Sequence, residues 1–271
     1  MIAAARTSAF LPILFLVVYG GARWITAVCF YLVRDPAPRL PVARNLRVGA
    51  YYAVGSAASA ALALATWPWG GLLLWPAVAL GTVAGGYVGL GPGIFRKADG
   101  QLALSARLLL GPCLAGQWLS LAYYRRQGHP WDEAAPGVLI GGRLTEREAT
   151  TAIERGVTAA LDLTAEFSEV PPFRTLAYRN VPILDLTAPT APQLDEAVRF
   201  ITEHAPRGTV YVHCKIGYSR SAAVVGAYLL ASGRARTADE AVTILRRARP
   251  AIVVRPEADA ALREFAMAAA G

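Results

Sequence analysis

The apolar positions divide this chain into two unlike halves. Before residue 130 they fall in long, almost unbroken runs; after it they recur in short groups separated by turn residues. Phe10–Val33 is long enough to cross a bilayer but is interrupted by Arg23, whereas Val48–Thr66 and Gly71–Leu90 carry no charge. Runs of about 20 apolar residues match the thickness of a bilayer core. Trp67-Pro-Trp69 between the last two suits the interface, where tryptophan concentrates. A fourth run, Leu102–Tyr124, contains Arg107, Pro112 and Gln117. A charge inside a span is costly, so this run is expected to lie along the membrane surface, with a fourth crossing as the alternative. The glycines between 81 and 91 permit close helix packing.

The second half changes period. Val157–Leu163, Ala177–Ile183 and Thr209–Val212 read as strands, and Thr145–Arg155, Ala191–His204, Ser219–Ala231 and Thr237–Arg247 read as helices. Thr145 with Glu148, and Thr237 with Glu240, have the spacing of capping boxes. Alternation of this kind predicts an α/β fold, a central mostly parallel sheet flanked by helices, preceded by an all-α membrane region. The expected organisation is a membrane region over 1–130, with about three transmembrane helices plus an interfacial helix, and a globular domain over 131–271.

Composition agrees with that division. The 271 residues are 55% hydrophobic, with mean hydropathy +0.37, too apolar for an ordinary soluble domain. Residues 1–130 hold eleven Lys/Arg against Asp35 and Asp99, a net +9, while 131–271 hold sixteen against seventeen acids, a net −1. The basic excess therefore belongs beside a membrane, and no nucleic-acid partner is expected. Arg34, Arg39, Arg44 and Arg47 mark their loop as cytoplasmic, and Arg96 and Lys97 return to that side. If Leu102–Tyr124 does not cross, residues 131–271 are cytoplasmic too, in a multi-pass protein of a membrane such as a bacterial inner membrane. Arg6 followed by Phe10–Tyr19 and Gly20-Gly-Ala22 mimics a signal peptide, but the apolar stretch continues through Trp24–Val33 and reads as an uncleaved anchor. Arg23 within it needs a partner or water.

The chemistry concentrates in Val210-Tyr-Val-His-Cys-Lys-Ile-Gly-Tyr-Ser-Arg-Ser221. A strand leads to His213 and Cys214; a loop bearing Gly217 leads to Arg220, Ser221 and a helix. Loop N–H groups and a helix N-terminus can converge on one anion. Arg220 can grip two phosphate oxygens with its planar fork. The same positive surroundings lower a thiol pKa and hold Cys214 as thiolate. The other cysteines serve as controls: six residues after Cys29 stands Asp35, and six after Cys113 stands Leu119. Three cysteines, two of them in apolar segments, make no disulfide framework. No cysteine–histidine pair has metal-ligand spacing, and His129 and His204 read as isolated surface residues.

Residues 136–266 resemble a dual-specificity phosphatase of the cysteine-dependent protein tyrosine phosphatase superfamily. The likeness rests on Gly137-Val-Leu-Ile-Gly-Gly-Arg143, Gly156-Val-Thr-Ala-Ala-Leu-Asp-Leu-Thr164, Tyr178-Arg-Asn-Val-Pro-Ile-Leu-Asp185, the signature loop His213–Ser221, Ala227-Tyr-Leu-Leu230, Glu240-Ala-Val242 and Arg249-Pro250. It covers about half the chain and leaves out 1–130. It implies that Cys214 is the nucleophile, and that Lys215, Ile216, Gly217, Tyr218, Ser219 and Arg220 form the phosphate cradle. It also implies that Asp185, at the end of a strand 29 residues before Cys214, is the general acid. Asp162, inside a strand-like run, is the rival and reads better as a structural hydrogen-bonding group; Asp195 reads as a first-turn helix acid. Ser221 can donate to the sulfur and make it a better leaving group, and His213 orients the loop. This chemistry calls for no metal and no cofactor.

Tethering to a bilayer and the charge of Lys215 favour a phosphorylated lipid as substrate. The loop resembles those of phosphoinositide and phosphatidylglycerophosphate phosphatases, which also begin Cys-Lys. With Ile216, Tyr218 and Ser219 at the other variable positions, the second base of many lipid-specific members is missing. A phosphoprotein substrate therefore stays open, as does a membrane scaffold that only binds phosphorylated partners.

Overall fold

The computed structural model describes residues 42–270 together with Thr26, Phe30 and Tyr31. The run Phe10–Val33 lies almost wholly outside the described residues, as do Arg23 and the signal-peptide-like start.

Asn45 accepts from the Val48 N–H and so starts helix α1, Leu46–Ala65, which matches the expected span Val48–Thr66. At 20 residues it is about 30 Å long, the depth of a bilayer core. Only Gly49 and Ala63 are buried on it, while Leu46, Tyr51, Val54, Leu62 and Leu64 face outward. It packs on a second apolar helical stretch, Trp69–Phe95, whose central α-helical part is α2, Leu74–Gly85. Both are long and apolar enough to cross a membrane.

The predicted continuous run Leu102–Tyr124 is instead broken. A short hairpin, β1 (Lys97–Ala98) and β2 (Gln101–Leu102), precedes helix α3, Leu104–Leu109, and helix α4, Gly111–Tyr124. Pro112 is the cause, since it lacks the N–H that would bond the Leu108 carbonyl. The indole of Trp75 takes its place, donating to the carbonyls of Leu108 (2.9 Å) and Leu109 (3.1 Å). The longer helix has 14 residues, about 21 Å, short of a bilayer core.

The second half is an α/β fold built on a five-stranded sheet of order β3-β4-β7-β5-β6. The strands are β3 (Trp131–Ala135), β4 (Val138–Gly141), β5 (Val157–Thr164), β6 (Ala177–Ile183) and β7 (Thr209–His213). All pairings are parallel except β3 with β4. The three predicted strands fall within a residue of their expected ends; β3 had no reading in the sequence. Side chains alternate between two cores, as the pleat requires. Val210 and Val212 enter the one covered by α7 (Ala191–His204), α8 (Arg220–Ala231), α9 (Ala238–Ala248) and α10 (Pro256–Ala270). Tyr211 enters the other, with Leu144, Phe173 and residues of α5 (Glu146–Glu154), near α6 (Pro171–Arg174). A third core joins the halves, bringing Ala165 and Leu184 against Val83, Tyr87, Phe95 and Leu110.

Two cap expectations meet different outcomes. Thr145 and Glu148 form the complete box. Thr237 accepts from the Glu240 N–H, but the Glu240 carboxylate turns to the Arg236 N–H (2.8 Å), so that box is half made. Asp195 lies beyond the first turn of α7, which holds no acid.

The halves are also joined by charge. Lys97 sends its ammonium to Asp162, a fully buried strand residue, and to the carbonyl and hydroxyl of Thr164 (2.9 and 3.2 Å). Removing one partner of a buried pair strands the other charge. Lys97→Met is therefore expected to lower unfolding free energy by about 3–5 kcal/mol in a denaturant titration of the full chain in micelles. Adding Asp162→Asn should recover most of the loss; an equal loss in single and double variants would show that the charge is not responsible.

Candidate active site

Each component of the site sits at the carboxyl end of a parallel strand. β7 ends at His213 and releases Cys214 into the loop 214–219, after which α8 begins at Arg220. The loop turns at Gly217, whose φ of +82° lies in the left-handed region. A Cβ there would also collide with the backbone of Gly141 and Gly142 at the end of β4. Glycine is thus required twice over, by conformation and by space. Arg249 supports the loop from behind, donating to the carbonyls of Gly217 (3.2 Å) and Ile216 (3.3 Å) while paired with Asp132.

Cys214 is buried at the base of the loop, and the Gly217 N–H points at its sulfur (3.3 Å). Burial works against a thiolate there. The Arg220 charge, the hydroxyl and N–H of Ser221 and the Gly217 N–H outweigh it and hold the pKa below that of a free thiol. Ser221 Oγ has no hydrogen bond of regular geometry, but its hydroxyl lies close enough to the sulfur to help lower the Cys214 pKa.

Arg220 is also buried, and the residue that fixes it had no reading in the sequence. Glu166 receives both nitrogens of the fork, Nη2 to Oε1 at 2.7 Å and Nη1 to Oε2 at 3.1 Å. Nη1 also donates to the Ile183 carbonyl (2.9 Å), and Nη2 reaches Asp185 Oδ1 (3.2 Å). Asp185 thus meets the cradle from the end of β6. Burial favours its neutral form, but the charges of Arg220 and Lys215 prevail and lower its pKa. Lys215 does not point into the loop's centre: its ammonium lies between Asp185 Oδ2 (3.4 Å) and Gln117 Oε1 of α4 (2.7 Å). Ile216, Tyr218 and Ser219 bring their backbone to the loop. The Ile216 and Tyr218 side chains line a cleft on its outer side with Tyr124, Arg125 and Arg143.

His213 is buried behind the nucleophile. Its Nδ1 lies 3.4 Å from the Cys214 carbonyl, and its Nε2 makes a 2.7 Å ionic contact with Glu169 Oε2 that misses hydrogen-bond alignment. Burial lowers the His213 pKa, but Glu169 and Asp162 reverse this and the net shift is upward. Asp162, Glu169 and His213 bring three potential metal-ligand atoms within 4.8 Å of one another, a convergence their spacing along the chain does not reveal. Asp162 is already paired with Lys97 and Glu169 with His213, and Asp162 also accepts from the Thr164 N–H and hydroxyl (2.7 Å each) and from Tyr178 (2.8 Å). Asp162 is thereby locked in structure. Of the two other histidines, His129 is exposed and His204 bonds the Phe200 carbonyl one turn back.

This arrangement has known counterparts. Residues 143–267 match the family "Dual specificity phosphatase, catalytic domain". The chain is 35% identical over 122 residues to mouse dual specificity protein phosphatase 12, covering 44% of this chain and 36% of that one. It is 30% identical over 142 residues to Arabidopsis thaliana phosphatidylglycerophosphate phosphatase PTPMT2, covering 50% of this chain and 62% of that one. A crystal structure of PTPMT1 in complex with PI(5)P superposes with TM-score 0.48 at 24% identity, over 52% of this chain and 97% of that one. The chain thus spans between 36% and 62% of the length of these curated relatives. Residues 143–267, with the loop that carries Cys214 and Arg220 at their centre, are a dual specificity phosphatase catalytic domain.

Proposed function

We propose that this chain is a membrane-anchored, cysteine-dependent phosphomonoester hydrolase acting on an acidic lipid phosphate. One observation carries the reading: the Cys214 sulfur, the Gly217 N–H, the Arg220 fork and the Asp185 carboxylate converge, and apolar helices of the first half pack against them.

In the first step the Cys214 thiolate attacks phosphorus in line. The S–P bond forms as the P–O bond to the leaving group breaks, and Asp185 gives its proton to the departing oxygen. Loop N–H groups and Arg220 hold the equatorial oxygens. In the second step Asp185 takes a proton from water, whose oxygen displaces sulfur and releases phosphate. Asp185 must be protonated to begin. A bound phosphate dianion draws Lys215 to itself and offsets the charge of the fixed Arg220, so the Asp185 pKa rises and the carboxylate takes a proton from solvent.

The outward-facing apolar surface of α1, the position of Lys215 and the phosphatidylglycerophosphate phosphatase among the relatives support a lipid substrate. The protein phosphatase among the relatives and the lack of a second base in the loop support phosphoprotein as the second reading. Phosphate release by the full chain in mixed micelles, from phosphatidylglycerophosphate against phosphotyrosine and phosphoserine peptides, separates them. Faster turnover of the peptides would overturn the lipid reading. The broken Leu102–Tyr124 segment supports a surface-lying arrangement and a cytoplasmic catalytic domain in a multi-pass, bacterial-inner-membrane topology. A C-terminal fluorescent reporter should then mature, and an alkaline-phosphatase reporter at that position should stay inactive; the reverse pair would mean a further crossing.

Cys214→Ser is expected to abolish turnover with the fold retained, because a serine hydroxyl in this cradle stays protonated. Asp185→Asn should lower kcat by about 10²–10³-fold for leaving groups of high pKa and little for those of low pKa. The pH profile carries its own sign. The thiolate is needed, so activity falls as pH drops; the Asp185 proton is needed, so activity falls as pH rises. Asp185→Asn should remove only the high-pH fall in kcat/KM. Glu166→Gln should instead slow all substrates alike, by about 10–100-fold, since it misplaces Arg220 and not the proton. A leaving-group dependence in that variant would contradict the orienting role.

A further inference from the structure

We propose that the apolar first half positions the general acid, through Tyr87 and Asn45. The proposal rests on Asp185 being that acid.

The acid sits on a short segment between the end of β6 and the start of α7. Within that segment the turn is closed only locally, by the Thr187 N–H and hydroxyl on the Leu184 carbonyl (3.3 and 2.9 Å). Leu186 holds a φ of +60°, a left-handed conformation that a residue with a branched side chain adopts only under outside constraint. That constraint comes from the other half of the chain. The Tyr87 hydroxyl donates to the Asp185 carbonyl (2.8 Å), and the Asn45 side-chain N–H donates to the Leu186 carbonyl (2.8 Å). Two successive carbonyls, one of them the acid's own, are thus held from outside the domain.

The two donors are themselves one unit. The Asn45 backbone N–H bonds the Tyr87 carbonyl (3.0 Å), and the Asn45 side-chain oxygen caps α1. Tyr52, nearly two turns into α1, stacks on the Tyr87 ring with centroids 5.6 Å apart. Gly49 between them leaves room for the approach, since a Cβ there would come within 3.3 Å of the Tyr87 Cβ. The start of α1 and the end of the Trp69–Phe95 stretch therefore form a rigid bracket. A bracket that grips backbone carbonyls and leaves the carboxylate free fixes where Asp185 points without taking part in its proton transfer. Tyr87 and Asn45 are positioning residues.

The test uses the full chain in detergent micelles and a series of aryl and alkyl phosphates of rising leaving-group pKa. Tyr87→Phe removes one donor and keeps the ring stack. Asn45→Ser removes the other and keeps an N-cap oxygen too short to reach Leu186. Each should slow high-pKa substrates by about 10–100-fold, as misplacement of a reacting group does, and leave low-pKa substrates within about twofold. Each should also weaken the high-pH fall in kcat/KM. A uniform slowing across the series, or no slowing, in both variants would overturn the proposal and leave the bracket a packing feature. Asp185→Asn run alongside tells the two failures apart. If it shows the leaving-group dependence while Tyr87→Phe and Asn45→Ser do not, positioning alone is wrong. If Asp185→Asn lacks that dependence, the acid assignment falls and the positioning proposal with it.

Discussion

The burial of one guanidinium organises the phosphatase half of this protein. Arg220 is about 2% exposed, and a charge taken out of water costs several kcal/mol unless it is well paired. The pairing comes from Glu166, on the loop after β5, and from the Ile183 carbonyl at the end of β6. A single cation therefore ties together the ends of two strands and the start of α8. The same charge lowers the pKa of Cys214 and of Asp185. The proposed nucleophile, acid and phosphate grip all depend on where this one fork is held, and Glu166 holds it with both oxygens.

A second set of charges performs the same task one layer back. Lys97 enters from the first half and meets Asp162 at the end of β5, beside His213, which precedes the nucleophile and leans on Glu169. The sheet's carboxyl edge is thus closed by residues from outside the domain as well as within it. The contact between Gln117 and Lys215 adds a third tie, this time to the loop itself. A catalytic domain with these ties is not merely tethered to its apolar region; its loop, its strand end and its acid segment each lean on a different part of that region.

How much of this the sequence disclosed follows from the range of each interaction. The meeting of Cys214, Gly217 and Arg220 was legible because spacing within one loop brings them together. The strand Ala177–Ile183 and the helix Ala191–His204 were legible because burial repeats with a local period. Thr237 misled because a cap depends on one competing donor, and the Arg236 N–H takes the carboxylate that the box required. The break in Leu102–Tyr124 had a visible cause in Pro112, but its stabilising partner Trp75 lies over thirty residues away. Glu166 gave no local sign at all, since its partner is 54 residues distant and no pattern announces a loop glutamate. Tyr87 and Asn45 were hidden for the same reason, inside a region whose apolar runs speak only of membrane.

The electrostatics of the site impose an order on the proposed reaction. Asp185 rests against the two cations that phosphate will need, so its carboxylate is ionised while they remain with it. A neutral Asp185 would leave Arg220 to the thiolate and to Glu166 alone, whereas the ionised carboxylate shares its charge. Ionised, it screens the cradle. Phosphate must displace that screen to bind, and its negative charge raises the Asp185 pKa, so that Asp185 takes up from solvent the proton it later gives to the leaving oxygen. Lys215 is the hinge of this exchange. Its ammonium lies outside the loop's centre, shared between Asp185 (3.4 Å) and the uncharged Gln117 (2.7 Å), and turning to an incoming anion exchanges one long ionic contact and one charge-assisted hydrogen bond for the new pair. Arg220 cannot turn, because Glu166 fixes both its nitrogens. One rigid cation to bind and one movable cation to release the acid is a division of labour that the Cys-Lys start of the loop makes possible.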